Sequence, residues 1–362
     1  MRYTDEFRNP ETAGYLIEII RHASKPVTII EFCGGHTHAI MRYGLRSALA
    51  PAVRLLAGPG CPVCVTADSD IDAALWLAGR SDVVLATFGD MLRVPGSYGS
   101  LQEARASGAR VELVYSALDA LALARELPEM IIVLLGVGFE TTAPTIAAAI
   151  LQAELEGLAN FTVLSLHKLT PPAMRAILSS QVRVEAVLGP GHVSSIIGWQ
   201  AWEFMPREYG IACATAGFEP VDILLAIRSL VDAVHQQQPR VINTYQRGVT
   251  PAGNLVAQRM MASVFEVCPA DWRGLGVLAE SGLTIRARFE RYDARKRFAI
   301  EQVPETVARN RGCRCGDVLA AVIEPDECPL FGTVCTPVRP LGPCMVSAEG
   351  TCAAFYRYGG TL

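Results

Sequence analysis

No long apolar run occurs in this chain. The longest strongly apolar stretch, Met130 to Phe139, has 10 residues and contains two glycines, about half of the roughly 20 that a spanning helix needs, so no membrane span is expected. The start, Met1-Arg-Tyr-Thr-Asp-Glu-Phe7, places acidic residues where a signal peptide carries its basic and apolar regions. A soluble cytoplasmic protein is the expectation. Excess basic charge is also lacking: the formal net charge of -4 gives no general pull toward nucleic acid or membrane surfaces, and neither partner is expected. Gly136-Val-Gly138 lacks the third glycine of a dinucleotide fingerprint, and there is no P-loop and no GxSxG elbow. Charge is sparse at 19%, against 51% hydrophobic residues, which suits packed cores and argues against disorder. A length of 362 residues is that of two or three domains.

From residue 27 to about 220, short apolar runs end in Gly-rich turns and alternate with helical stretches, the pattern of parallel strands in an α/β fold. The runs are Val27–Phe32, Val53–Ala57, Val83–Thr87, Val111–Tyr115, Met130–Leu135, Phe161–Leu166, Val184–Leu188 and Ile211–Thr215. A helical stretch, Ala117–Leu127, separates the first four from the last four. The expectation is two small parallel-sheet α/β domains, at 1–122 and 123–238, followed by an irregular and helical domain at 239–362. Gly58-Pro-Gly-Cys61 and Gly189-Pro-Gly-His192 share loop chemistry without corresponding in position. Function in such sheets collects at the carboxyl ends of strands. The loops leaving these runs are rich in Gly, Cys, His and Thr, including His167-Lys168 after the sixth. Arg286 to Arg314 holds nine Lys/Arg against four Asp/Glu, read as a solvated face or a docking surface for an acidic partner.

Eleven cysteines in a reducing compartment are more often metal ligands or redox thiols than structural disulfides. Cys313, Cys315, Cys328, Cys335, Cys344 and Cys352 fall in the last 50 residues. Their segment is Cys-, Pro- and Gly-rich, and such a segment usually needs a metal to hold it. The separations after Cys315 are 13, 7, 9 and 8 residues, with no CxxC knuckle, which favours an iron–sulfur cluster over zinc. Six thiols exceed the four that either needs, so the surplus pair suggests a dithiol beside the cluster. Cys61-Pro-Val-Cys64 follows a predicted strand. A thiol near a following helix N-terminus has a lowered pKa, as in redox CxxC sites, although a metal site fits the same spacing. Cys33 ends the first strand before Gly34 and Gly35, with His36 and His38 close by. A soft thiolate beside imidazole can hold Fe, Zn or Cu.

Cys33-Gly-Gly-His-Thr-His38, Gly58-Pro-Gly-Cys-Pro-Val-Cys64, Thr87-Phe-Gly-Asp-Met-Leu-Arg-Val-Pro-Gly96, Gly138-Phe-Glu-Thr-Thr-Ala-Pro144, Pro190-Gly-His-Val193, Gly217-Phe-Glu-Pro220 and Cys344-Met-Val-Ser-Ala-Glu-Gly-Thr-Cys352 together resemble the signatures of the HypD family. The resemblance spans essentially the whole chain. It implies two α/β domains and a third carrying a [4Fe-4S] cluster. It also implies partnership with a small chaperone, HypC, in holding the iron on which the Fe(CN)2CO unit of [NiFe]-hydrogenase is assembled. Cyanide then comes from HypE, and the hydrogenase large subunit is served indirectly. The resemblance to the cluster region of ferredoxin:thioredoxin reductase makes Cys313, Cys328, Cys335 and Cys352 the cluster ligands and Cys315 and Cys344 a redox pair. Cys33 matches the iron-holding thiol, with His36 near it, and Cys61 and Cys64 match a second redox pair. The competing functions are a stand-alone iron–sulfur disulfide reductase and a zinc-stabilised interaction module.

Overall fold

The computed structural model describes residues 4–300 and 312–359. Part of the basic segment noted above, residues 301–311, lies outside the described residues.

All eight apolar runs become strands, each within a residue or two of its expected ends: β1 (Val27–Glu31), β2 (Val53–Ala57), β3 (Val83–Thr87), β4 (Val111–Leu113), β5 (Ile131–Gly136), β6 (Phe161–Ser165), β7 (Ala186–Pro190) and β8 (Ala212–Ala216). Three more strands follow: β9 (Val241–Asn243), β10 (Phe265–Trp272) and β11 (Gly276–Ile285). One parallel sheet has the order β2-β1-β7-β8-β9 and the other β4-β3-β5-β6, while β10 and β11 form an antiparallel hairpin. The fold is α/β with two parallel sheets and a C-terminal region of short helices.

The chain does not divide where the sequence suggested. β1 and β2 pair with β7 to β9, and the intervening β3 to β6 form the second sheet by themselves. A boundary at 122/123 therefore cuts the four-stranded sheet, and one at 238/239 removes β9 from the five-stranded sheet. The reason is register: Ile29, Ile30 and Glu31 take Ala186, Val187 and Leu188 as neighbours, so one edge of β1 is completed by residues made much later. Period alone carries no information about which runs pair. The two Gly-Pro-Gly turns accordingly end the two strands that flank β1.

Alternation within the five-stranded sheet sorts its faces. Ile29, Leu55, Leu188 and Ala214 pack under the helices Pro10–Arg21 and Pro220–His235. Ile30, Phe32, Leu56, Val187 and Cys213 enter a second core with Trp272 of the hairpin and with Cys315, Cys344, Met345 and Cys352 of the tail. One face of this sheet thus carries the C-terminal cysteine segment. The hairpin was missed because its alternation is broken: Pro269 and a register shift between Cys268 and Ala270 interrupt β10. Its tip packs tightly, since a Cβ on Gly274 would lie 2.6 Å from the Gly316 Cα, and Gly274 itself has a positive φ of 84°.

In the basic segment, Arg286, Arg291, Arg295 and Lys296 pair with Glu266, Glu154, Asp70 and Glu290 of the same chain. Among the described residues no helix is long and apolar enough to cross a membrane.

Glu140, from the Gly138-Phe-Glu motif, is buried and accepts hydrogen bonds from the Thr170 backbone N–H at 2.8 Å and from the Thr170 hydroxyl. Burial pushes its carboxyl up to about 7. A carboxyl raised above its unfolded value favours folding below that value and loses the contribution as pH rises through the folded pKa. Glu140→Gln keeps an acceptor for Thr170 without the charge. It should therefore gain on the wild type as pH goes from about 4.5 to 8, by an amount on the order of 2–3 kcal/mol. Urea unfolding at pH 5 and pH 8 measures this, and equal differences at the two values would show that Glu140 does not titrate in that window.

Candidate thiol and metal site

Cys33 does not sit in an open loop. It is the N-cap of the helix Gly34–Arg42 and only 9% exposed. Two glycines start a helix here because neither has room for a side chain: a Cβ on Gly34 would lie 2.6 Å from the Glu349 Cβ, and one on Gly35 3.0 Å from the Phe218 ring. The Cys33 N–H donates to Glu31 Oε2 at 2.8 Å, and the Thr37 hydroxyl donates to the other oxygen of Glu31. Burial, with Glu31 and Glu349 nearby, pushes the Cys33 thiol up to about 12, although the Gly35 and His36 N–H groups point at its sulfur. Burial also pushes Glu31 up to about 8. A thiol so placed keeps its proton until a cation takes the proton's position.

His36 is fully buried. Its Nε2 donates to the Gly217 carbonyl at 2.9 Å, and its ring stacks on Phe218 with centroids 4.8 Å apart. Nδ1 is then the unprotonated nitrogen, and it has no hydrogen-bond partner. Burial lowers the imidazole to about 4, so it stays neutral and its lone pair is free. A thiol and a bare imidazole nitrogen three residues apart on one helical turn fit a soft divalent metal. His38 faces elsewhere: its Nδ1 donates to the Ala348 carbonyl at 3.1 Å and its ring meets Tyr358 edge-on. It holds the tail and is not part of this pair.

Cys61 and Cys64 are joined by a disulfide across the short helix Pro62–Val65, with Cα atoms 5.2 Å apart. The loop before them is pressed onto Cys33. The Gly34 N–H donates to the Gly60 carbonyl at 2.9 Å, and a Cβ on Gly60 would lie 2.2 Å from the Cys33 nitrogen. Gly60→Ala should therefore displace Cys33 and cost about 1–3 kcal/mol or more. Thermal unfolding together with Cys33 alkylation measures both effects, and an unchanged Tm would mean the two loops separate freely.

On its far side the CxxC helix meets the tail, where Cys64 Sγ lies 3.9 Å from the Pro343 carbonyl. The next residue, Cys344, has its Sγ 2.7 Å from that of Cys315, and both are buried. The hydrogen bond from Cys344 holds the Cys315 thiol low, helped by the charge of Arg273, while burial raises Cys344. Arg273 comes from the hairpin tip. It pairs with Asp68 at 2.7 Å and donates from Nε to the Thr66 carbonyl at 3.0 Å, which ties the chain just after the CxxC helix to the hairpin. Arg93, from the Thr87–Gly96 motif, clamps the tail from the other side by donating to the Pro337 and Val346 carbonyls, both at 3.0 Å.

Beyond Cys344, the six C-terminal thiols line one cavity with Val318, Leu330, Phe331 and Met345. Cys313 is pushed up to about 12 by burial and by Cys315, Cys335 and Cys328 around it. Cys335 is raised by burial and by Cys352 and Cys328. Thiolates gathered in an apolar cavity would repel one another, and such a donor set fits a multiply charged group such as an iron–sulfur cluster. Cys313 keeps its place in this cavity because residue 342 is glycine, where a Cβ would lie 2.6 Å from Cys313 Sγ. Among the described residues no three His, Cys, Asp or Glu side chains are set to hold a single metal ion.

Reasoning from sequence brought forward every thiol here but passed over Glu31 and Arg273. Glu31 had a signal, being the one charge in an otherwise apolar strand. Arg273 had none, because the hairpin carrying it was not foreseen.

The fold and site define a class: an α/β protein in which a buried thiol, a CxxC disulfide and a six-cysteine tail adjoin in sequence along one sheet face. The family model HypD, described as the hydrogenase formation hypA family, matches residues 11–359. The hydrogenase maturation factor HypD2 of Bradyrhizobium diazoefficiens is 46% identical over 99% of this chain and 97% of its own length. The hydrogenase maturation factors HypD of Cupriavidus necator and Escherichia coli are 46% and 42% identical, each over 99% of this chain and over 97% and 98% of their own lengths. The chain belongs to the HypD family of hydrogenase maturation factors.

Proposed function

We propose that this cytoplasmic protein, paired with a HypC-type chaperone, holds on Cys33 the iron that receives cyanide from a HypE-type donor and becomes the Fe(CN)2CO unit of [NiFe]-hydrogenase. The observation that carries this reading is the unbroken succession of thiols. Cys33 touches the Gly60 loop, the Cys61–Cys64 pair abuts the Pro343–Cys344 turn, and Cys344 meets Cys315 at the edge of the six-thiol cavity.

In this reading Cys33 gives up its proton to bind the iron, and the unpartnered His36 Nδ1 serves as the second donor. Cys313, Cys328, Cys335 and Cys352 hold a [4Fe-4S] cluster, which when bound supplies single electrons. Cys315 and Cys344 act as a dithiol toward the Cys61–Cys64 disulfide. One thiolate attacks, a mixed disulfide forms, and its partner closes the new disulfide, so that Cys61 and Cys64 are released as two thiols and the pair beside the cavity is oxidised. Burial of Cys33 excludes water and competing hard ligands from the iron.

Infrared spectra of the anaerobically purified complex with the chaperone test the assignment. Bands from CN and CO on iron are expected. A complex active in hydrogenase maturation but without such bands would favour a stand-alone disulfide reductase. The thiol pair is tested separately. Before reduction Cys61 and Cys64 should resist alkylation. After reduction at least one should react with an apparent pKa below the ordinary value near 8.5, which Cys64→Ser assigns. Ordinary values at both positions would remove activation from the account.

A further inference from the structure

His167-Lys168, at the carboxyl end of β6, has no part in the thiol site. The two residues line a separate cavity of about 410 Å3 between the four-stranded sheet and the hairpin, with Asp70, Cys268, Asp271 and Arg295 among its other walls. That volume is within the ordinary range for small-molecule sites. It lies where open α/β sheets bind ligands, at strand carboxyl ends.

The polar groups of this cavity are built and incompletely matched. His167 is 2% exposed. The Ser165 hydroxyl donates to the Leu283 carbonyl at 2.7 Å, so it accepts from His167 Nδ1–H at 3.0 Å. Nε2 is therefore an unprotonated acceptor, and it is buried with no partner. Lys168 is equally buried. Its ammonium donates to the Asp271 carbonyl at 2.6 Å and lies 3.5 Å from Asp70, whose other oxygen takes Arg295 at 2.7 Å. An ammonium has three protons, so one is left for a ligand. Asp70 is shared by Lys168 and Arg295, and Asp293 on the same wall accepts from the Arg295 backbone N–H at 2.9 Å, while among the described residues the Asp271 carboxylate at the rim has no cation within ion-pair distance.

We infer that this cavity binds a small zwitterion of the α-amino-acid class, with its carboxylate toward Lys168 and Arg295 and its N–H donors toward His167 Nε2 and Asp271. A ligand of one sign would leave the opposite groups unpaired and desolvated, which is unfavourable. A purely apolar ligand would strand both the imidazole lone pair and the ammonium proton.

Calorimetry on the full-length protein with l-glutamine, glycine betaine and propionate tests this. Glutamine should bind at millimolar concentration or below. Betaine, which lacks N–H donors, and propionate, which lacks the cation, should each bind roughly tenfold more weakly or worse. Lys168→Met should abolish binding. Because that change also unpairs buried Asp70, the partly exposed Arg295→Gln is the second variant; it should weaken glutamine by roughly tenfold while the circular dichroism spectrum is kept. No heat from glutamine with the wild type, equal binding of betaine, or undiminished binding in a folded Arg295→Gln protein would each overturn the proposal.

Discussion

Cys33→Ala is expected to keep the fold and the C-terminal cluster, and to lose all iron bearing CN and CO together with all hydrogenase maturation in a complementation assay. The backbone at this position is held by groups that alanine retains: the N–H to Glu31 and the carbonyl accepting from the Thr37 N–H at 3.0 Å. What is lost is one buried sulfur, a stability change of about 1–2 kcal/mol. The functional loss is complete because no other thiol is free in the same place: Cys61 and Cys64 are bonded to each other, and Cys213 is buried in the core of β8. Cys33→Ser should fail as well, since a hydroxyl is a hard and weakly acidic substitute for a thiolate. A Cys33→Ala protein that still showed the infrared bands would have its iron on another ligand.

The second large effect is expected from Cys328→Ala. The tail has few regular elements to stand on: the helices Cys315–Leu319 and Thr351–Tyr358, short 3-10 turns, and one isolated bridge between Phe331 and Cys335. Metal binding in such a segment is folding free energy. Removing one of four ligands should therefore lose iron and sulfide and destabilise the C-terminal region by several kcal/mol, of the order set by metal-dependent domains. Cys213→Ala is the control. It removes a buried thiol outside the cavity and should leave the iron content at the wild-type level. Full cluster occupancy in Cys328→Ala, by iron and sulfide analysis, would take Cys328 out of the ligand set.

The strands and thiols were legible because both are local signals. An apolar run between Gly-rich turns reads as a buried strand wherever it pairs, and a cysteine is visible as a letter. Pairing is not local. Nothing in Val27–Glu31 says that its neighbour is Ala186–Pro190, so the sheets were assembled from the wrong runs while every run was right. A Gly34–Gly35 pair by itself disfavours helix; the helix here is permitted by Glu349 and Phe218 packed over the two glycines. Those residues lie far along the chain. The electrostatics of Cys33 were hidden for the same reason: a helix N-terminus alone would lower its pKa, and burial beside two carboxyls outweighs that.

The interleaved order of the two sheets has a consequence for how the protein is made. The four-stranded sheet is one continuous stretch of chain and can close while synthesis is still under way. β1 and β2 must wait: Thr28 meets Glu185, its partner 157 residues on. At ordinary elongation rates that interval is roughly 8–30 s, during which Cys33, Cys61 and Cys64 are already outside the ribosome without their sheet, the Phe218 ring or the Glu349 cover. The tail that completes the site is the last part to emerge. A nascent chain therefore has the thiols long before it has the pocket, and iron offered to it early would meet a flexible thiol peptide with no selectivity. Release from the ribosome thus precedes completion of the site, and a chain stopped short of its tail carries Cys33, Cys61 and Cys64 without the residues that enclose them.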